Sequence, residues 1–514
     1  MKRFLKSLIS LALLLLLAIL ALRLMFPLPD ISNRTPSNAF PADRVSSMGT
    51  AFLRAAEQHP GKTGVIVLPN GLDALNARLS LAARAEISID AQYYIWHDDV
   101  TGRLLLSTLL KAAERGVRVR LLLDDNGVPG LDSTLAAINE RPNFEIRLFN
   151  PSTVRRPKMM GYTFDFFRMN RRMHNKSFIV DGTAAIIGGR NIGDPYFLAG
   201  GELTFLDMDV LGVGAVVPET QQSFDQYWNS VSVFEVESII KGSGDFDGFL
   251  SRIAEAEAAP VNEDIRTARD AIATARAEGE KAFEWTDVQL IVDDPIKGTG
   301  TAEEDQLMIS QLRIILGDVD AQLNLITAYF VPAYTATALF SELAQSGRKV
   351  RIATNSLQST DVLMVHAGYT KHRRELLEAG VKLFELKSSA TTTSGQSELG
   401  RIGLSGASLH GKTFTIDDSR VFIGSFNFDP RSAFLNCEMG FLINSPTMAA
   451  EAWRYFDGLE TLSYRPELTP ENRMVWHETR PDGQIVTYQE EPGATWFQQV
   501  AIVIIGLLPV EWLL

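Results

Sequence analysis

Cysteine is almost absent. Cys437 is the only one in the chain, which excludes an intrachain disulfide and any metal site built from thiolates. No metal-ligand spacing of His, Asp and Glu stands out either, so neither a metal nor another cofactor is expected. An excess of positive charge is also missing: 49 Lys and Arg face 62 Asp and Glu, a formal charge of -13. Nonspecific nucleic-acid binding draws its affinity from Lys and Arg clusters that release counterions, so nucleic acid is not an expected partner. Histidine is scarce, seven in 514 residues, and two of the seven fall on a repeated motif. With 46% hydrophobic and 22% charged residues the chain has a globular rather than a disordered composition, and its length allows two or three domains.

Residues 1–30 read as an address. Lys2, Arg3 and Lys6 precede an apolar run from Leu8 to Leu22. That run is short for a hydrocarbon core of roughly 30 Å. Counting from Leu5 to Phe26, with Arg23 snorkelling, makes a span. No small-residue cleavage site precedes the polar stretch that begins at Asp30, which favours an uncleaved anchor over a removed signal peptide. An anchor of this charge pattern predicts that the amino end stays in the cytoplasm and the body is exported across the membrane.

The body is duplicated. Ile87–Asp124 reads as strand, polar break, amphipathic helix, glycine stop and second apolar strand, and the same order returns over Leu323–Asn355. Tyr94 aligns with Phe330, Gly116 with Gly347, Ile146–Phe149 with Val381–Phe384, His174 with His410 and Asp225 with Asp457, each pair 231 to 236 residues apart. Strand and helix alternating through short turns predict two similar α/β halves with mixed sheets, over residues 60–230 and 285–465, related by a pseudo-twofold with the active site at their interface. Residues 231–284, rich in Ala, Glu and Arg, read as a helical linker without chemistry of its own. Residues 466–514 form a polar extension ending in the apolar VAIVIIGLLPVEWLL. Pro509 and Glu511 spoil that tail as a span, so it reads as an interfacial or core-docked helix.

Each half carries one chemical motif. MHNKSFIVDGTAAIIGGRN holds His174, Lys176, Asp181 and Asn191; LHGKTFTIDDSRVFIGSFN holds His410, Lys412, Asp417 and Asn427 at identical spacing. One His-x-Lys means little, and a lone histidine is more often an ordinary core or surface residue. Four matched positions at equivalent places in a duplicated chain point to a site. On a strand, residues two apart share a face, so His and Lys point together. The odd spacing to Asp181 and Asp417 sends them to the other face, to brace the site rather than touch substrate. Gly188 and Gly424 close a strand and let Asn191 and Asn427 turn back as donors. Gly406–Thr413 satisfies the G-x-x-x-x-G-K-[ST] phosphate-loop pattern, but strand rather than helix comes after it and the first copy lacks it, so nucleotide binding is not expected.

Two imidazoles, two ammonium groups and two amides make a clamp for a tetrahedral anion. In phosphodiester transfer, one neutral imidazole attacks phosphorus and forms a phospho-histidine while the other, protonated, supplies the leaving oxygen with a proton. The lysines and asparagines stabilise the charge that develops. Asp209 and Glu438, in strand-like stretches after their motifs, are candidates to orient the rings.

On these residues the chain resembles the phospholipase D superfamily, marked by paired His-x-Lys-x4-Asp motifs followed by Gly-Ser-x-Asn. Within it the likeness is closest to bacterial cardiolipin synthases of type C, through DAQYYIWHDD, GGRNIGDPYF, AYFVP, VHAGY and the closing LLPVEWLL. The resemblance implies movement of a phosphatidyl group between phospholipids, with phosphatidylethanolamine as donor and phosphatidylglycerol as acceptor. It implies His174 as nucleophile and His410 as general acid, a choice that the symmetry of the sequence alone leaves open. It also implies a phosphate contact from the serine of Gly-Ser-x-Asn. Ser425 keeps that serine, whereas Gly189 replaces it in the first copy. An amino-terminal membrane helix is not part of what the type C likeness implies.

The stretch VRRPKMMGYTFDFFRMNRRMHNK, with Arg155, Arg156, Lys158, Arg168, Arg171 and Arg172 among aromatic rings, suits anionic head groups at a membrane; its plainer reading is a solvated loop over core aromatics. Two other functions compete with transfer. One is a phospholipase D-type phosphodiesterase acting on phospholipids or, less well supported, nucleic acid. The other is a non-catalytic lipid-binding scaffold, against which the intact polar set in both copies counts.

Overall fold

The computed structural model describes residues 2–40, 46–198, 204–277, 283–387, 407–480 and 482–514. Two mixed sheets dominate it. Eight strands of the first run edge to edge as Thr63–Leu68, Asp209–Gly214, Ala184–Gly188, Ser177–Val180, Ser88–Tyr93, Arg118–Asp124, Phe144–Phe149 and Val233–Glu235. Eight strands of the second repeat that order as Val288–Val292, Met439–Asn444, Arg420–Gly424, Lys412–Ile416, Gln322–Thr327, Lys349–Asn355, Lys382–Leu386 and Ser463–Leu468. Three consecutive strands in each are parallel and the rest antiparallel, as helical crossovers followed by hairpins require.

Local chemistry sets these elements. Helix Val100–Glu114 starts where the Asp99 carboxylate accepts the Gly102 N–H at 3.0 Å. It stops at Gly116, whose φ of 95° suits a residue without Cβ; Gly347, at 91°, ends the equivalent helix Ala333–Gln345. The strand register refines the alignment of the halves. Trp96 bridges Ile192 as Phe330 bridges Phe428, so the partner of Phe330 is Trp96 and not Tyr94, a shift of two residues.

The halves meet through an apolar layer in which Ile179, Ala185, Ile187 and Val210 pack with Val421, Ile423, Met439 and Phe441. The segment between them contributes to the first half. Val233–Glu235 and Glu284–Thr286 are edge strands of the first sheet, and Ile253 and Ile265, on helices Phe246–Glu257 and Asn262–Ala277, enter its core. Residues 278–282 of this segment lie outside the described residues. The carboxyl-terminal extension continues the second sheet with Met474–Thr479 and Ile485–Tyr488, then forms helix Trp496–Leu507. At the other end, helix Lys2–Met25 has no buried residue over its apolar stretch Arg3–Met25, whose mean hydropathy is 2.7, and is long enough to cross a membrane.

Candidate active site

Both motif histidines sit just ahead of their strands at the junction of the halves, and each is held by the opposite half. The His174 N–H donates to the Cys437 carbonyl at 2.8 Å beside the Met173–Cys437 bridge, and its Nδ1 lies 2.8 Å from Glu438 Oε2 and 3.1 Å from the Ser425 carbonyl. Correspondingly, the His410 N–H donates to the Leu206 carbonyl at 2.9 Å, at the end of a parallel pairing between Ala407–Leu409 and Thr204–Leu206, and its Nδ1 lies 2.6 Å from Asp207 Oδ2. Each ring is thus gripped through Nδ1, which leaves Nε2 for chemistry. Both histidines are only 7% exposed.

Lys176 Nζ donates to the His174 carbonyl at 2.6 Å, and Lys412 Nζ turns back to the His410 carbonyl and lies 3.2 Å from His410 Nδ1. Burial and the nearby charges of Lys176 and Lys412 push His174 well below its ordinary range. Burial and Lys412 bring His410 down to about 4, although Asp207 pulls upward. Lys412, from the second half, acts on His174, and Lys176, from the first, acts on His410, so the two motifs share one electrostatic environment. Burial also lowers both lysines, a state that a bound anion would reverse.

The two carboxylates differ. Burial raises Glu438 to about 7, its Oε2 accepts the Ser425 hydroxyl at 2.5 Å, and its Oε1 has no hydrogen-bond partner among the described residues. Burial alone would raise Asp207 too, but the His410 hydrogen bond and the charges of His410, Lys412 and Arg190 outweigh it and hold the carboxyl below its usual range.

Several expectations change here. Asp209 does not reach a histidine: it is taken up by a buried ion pair at 2.9 Å with Arg78 and by the Arg190 backbone N–H, and Asp207 supplies the carboxylate. Adjacent strand residues face opposite ways, but Asp207 precedes the strand Asp209–Gly214 and so escapes its alternation. The repeat held the signal, because Asp207 is separated from Glu438 by the same 231 residues as Gly116 from Gly347. Ser425 donates its hydroxyl to Glu438 and accepts the Met439 N–H at 3.0 Å. Gly189 has the matching explanation: a Cβ there would fall 2.2 Å from Asp207 Oδ1, so no serine fits beside the carboxylate that holds His410. Asn191 is occupied as well, accepting the Ile95 N–H at 3.1 Å and donating to the Tyr196 hydroxyl at 3.1 Å, whereas Asn427 keeps a buried Oδ1 without a hydrogen-bond partner among the described residues.

Asp181 and Asp417 lie one residue beyond their strands, in turns with φ of 51° and 52°, so strand parity does not govern them. The Asp181 carboxylate accepts the N–H groups of Glu86, Ile87 and Ser88, and Asp417 those of Asp320, Ala321 and Gln322, clamping each motif strand to its neighbour. Asp181→Ala would strand three donors, each costing about 1–3 kcal/mol where it stays buried. Thermal melting should therefore place Asp181→Ala well below the parent and below Asp417→Ala, whose site is more exposed. Equal melting temperatures for the two variants would contradict the clamp. The phosphate-loop match fails structurally, since Lys412 opens the strand Lys412–Ile416; its first residue, Gly406, lies outside the described residues.

Basic residues near the site are mostly neutralised internally. Arg155 and Lys158 pair with Asp125 and Asp132, Arg168 with Asp165, and Arg172 with the buried Asp124. The expected basic surface for head groups is therefore largely spent on folding the loop, with Arg156 left exposed. The tyrosines close over the rings instead, Tyr94 at 5.1 Å from His174 and Tyr196 at 5.2 Å from His410, centroid to centroid.

Comparison with known proteins gives consistent matches. Residues 79–228 and 315–459 match the family described as cardiolipin synthase, PLD-like domain. Cardiolipin synthase C of Escherichia coli (strain K12) is 42% identical over 475 residues, 91% of this chain and 99% of that protein. Cardiolipin synthase B of the same strain is 25% identical over 379 residues, 74% of this chain and 76% of that one. The crystal structure of phosphatidylserine synthase from Haemophilus influenzae Rd KW20 covers 90% of this chain and 99% of its own with a TM-score of 0.57 at 13% identity, a likeness of fold.

Proposed function

Starting from the fact that this chain belongs to the cardiolipin synthase family of phospholipase D-like proteins and is a phosphatidyltransferase, we propose that it makes cardiolipin by moving a phosphatidyl group onto phosphatidylglycerol, with phosphatidylethanolamine as donor. The observation that carries the reading is the exchange of carboxylates, Glu438 to His174 and Asp207 to His410.

In the first step His174 Nε2 attacks the donor phosphorus. The bond to the departing head-group oxygen breaks, and that oxygen takes the proton of His410 Nε2. The phosphatidyl group is now covalent on His174. In the second step His410, unprotonated, takes the proton of a glycerol hydroxyl of phosphatidylglycerol. That oxygen attacks phosphorus, the phosphorus–nitrogen bond breaks, and cardiolipin leaves with both histidines restored. Lys176 and Lys412 offset the negative charge in both transition states.

The unequal carboxylates support the division of labour. A carboxyl raised to about 7 pulls weakly on a proton at His174, which stays a neutral nucleophile, whereas ionised Asp207 stabilises an imidazolium at His410. The anionic substrate counters the two lysines and lifts His410 from its low value.

Incubation with phosphatidylglycerol, with and without phosphatidylethanolamine, followed by thin-layer analysis tests this. Cardiolipin whose yield rises with phosphatidylethanolamine is the expected product; phosphatidic acid in its place would make water the acceptor, and unchanged lipids would leave only a scaffold.

The protein is membrane-associated through helix Lys2–Met25. We propose that its amino end stays in the cytoplasm and its body lies in the periplasm, because Lys2, Arg3 and Lys6 precede the span. Protease added to intact spheroplasts should then degrade the body; protection equal to that of a cytosolic marker would reverse the orientation.

A further inference from the structure

Three separate stretches of chain that meet around Arg431 each expose a large apolar side chain. The helix Tyr162–Met169 presents Phe167, 70% exposed, the helix Pro430–Phe434 presents Phe434, 59% exposed, and the last turn, Glu511–Leu513, presents Trp512, 49% exposed. Arg431 ties them together. Its guanidinium donates to the Asn170 carbonyl at 3.0 Å and to Asn170 Oδ1 at 2.5 Å, and Nε donates to the Leu513 carbonyl at 3.2 Å. The Arg431 N–H donates to the Leu514 carbonyl at 2.6 Å. Leu514 itself is buried with Val331 and Val365. This junction adjoins the site in sequence and space: His174 lies four residues past Asn170, and its backbone bonds to Cys437, just past the helix that carries Phe434.

The membrane helix leads into the same place. Phe26, at its end, stacks on Phe164 at 6.0 Å, and its carbonyl accepts the Thr153 hydroxyl at 3.0 Å. On the far side, Trp496–Leu507 is an apolar helix with no buried residue. An apolar surface of this extent in a soluble setting would be a liability. Here it is continuous with a membrane-crossing segment, and Arg155, Lys158, Arg168 and Arg172 nearby are paired with carboxylates, which leaves Arg156 as the exposed cation.

We propose that Phe167, Phe434 and Trp512, continued by the helix Trp496–Leu507, form a docking rim that inserts into the outer boundary of a phospholipid bilayer and holds the mouth of the active site against it. A phosphodiester would then reach His174 while its acyl chains stay in the membrane. Attachment is by apolar burial, so it differs from recognition through a basic patch in being insensitive to salt. The inference rests on the phospholipid-transfer reading and extends it to where the substrate is taken up.

The test uses the full chain reconstituted in phosphatidylglycerol–phosphatidylethanolamine vesicles containing brominated acyl chains. Quenching of tryptophan fluorescence should be strong in the parent, fall on Trp512→Phe and Trp496→Phe substitution, and persist in high salt. Absence of quenching attributable to these two residues, or a cross-linkable second copy covering Trp512 in its place, would overturn the proposal. A Phe167→Asp, Phe434→Asp, Trp512→Asp variant should lose about tenfold or more of its transfer from vesicles and keep its rate on monomeric short-chain lipids. Equal loss on both substrates in a variant with the parent's melting temperature would also overturn it. Because quenching is read without turnover, a protein that docks but makes no cardiolipin would refute the proposed activity and leave the rim standing.

Discussion

Replacing either histidine by alanine should lower cardiolipin formation by about 10⁴-fold or more, because each variant loses one member of a pair that acts as a unit. The two failures should differ in kind. A phosphodiester with a p-nitrophenyl leaving group departs without needing a proton. On such a substrate, His410→Ala retains the attack by His174 and should release one burst of p-nitrophenol per enzyme, then stall, since no base remains to activate the acceptor. The stalled protein should carry its phosphatidyl group on His174, which mass spectrometry of the peptide would locate. His174→Ala should give no burst. A burst in His174→Ala and none in His410→Ala would exchange the two roles, and a burst in neither would remove the covalent intermediate.

Asp207→Asn and Asp209→Asn, two positions apart, should fail in opposite ways. Asp207→Asn replaces the anion 2.6 Å from His410 Nδ1 with a neutral amide. The imidazolium loses its partner and the tautomer is no longer fixed, so turnover should drop by about 10²–10⁴-fold while the fold persists. The proton sets the sign of the pH effect: His410 must carry one to act as acid, so the rate falls as pH rises through its value in the complex. Asp207 pulls that value up, and losing its charge moves the alkaline limb of the rate profile to lower pH. Asp209→Asn leaves Arg78 buried without its 2.9 Å counter-ion, a change that costs about 3–5 kcal/mol in buried pairs. Its signature should be a lowered melting temperature with an unmoved pH profile in the molecules that remain folded. A shifted alkaline limb in Asp209→Asn, or none in Asp207→Asn, would contradict the assignment.

The duplication made the fold legible in the sequence. Two strand-helix-strand patterns with glycine stops lead directly to two mixed sheets, and the sheets repeat the same eight-strand order. The motif histidines were legible for the same reason, since identical spacing in two copies is hard to meet by chance. The partners of the rings were not. Glu438 could be named because it comes after its motif in a strand-like stretch, but nothing in a linear pattern says that it serves His174 from the other half. Asp207 was hidden by the short segment before its strand, where alternation gives no guidance. Ser425 and Asn191 bear side chains suited to a phosphate, and their bonds to Glu438, the Ile95 N–H and Tyr196 could not be read from the sequence, because a buried hydroxyl or amide takes partners that only the fold brings near. Charge counting over residues 154–172 has the same blind spot, since the carboxylates that neutralise Arg155 and Arg172 lie 23 to 48 positions upstream.

The crossed carboxylates carry an evolutionary corollary. Cut between its halves, this polypeptide would leave each histidine without the acid that steadies it. A single-copy ancestor built on the same plan would therefore have been inert until two identical chains came together and lent each other that group. Fusion of such copies would make the loan permanent and leave the two acids free to differ, as Glu438 and Asp207 do.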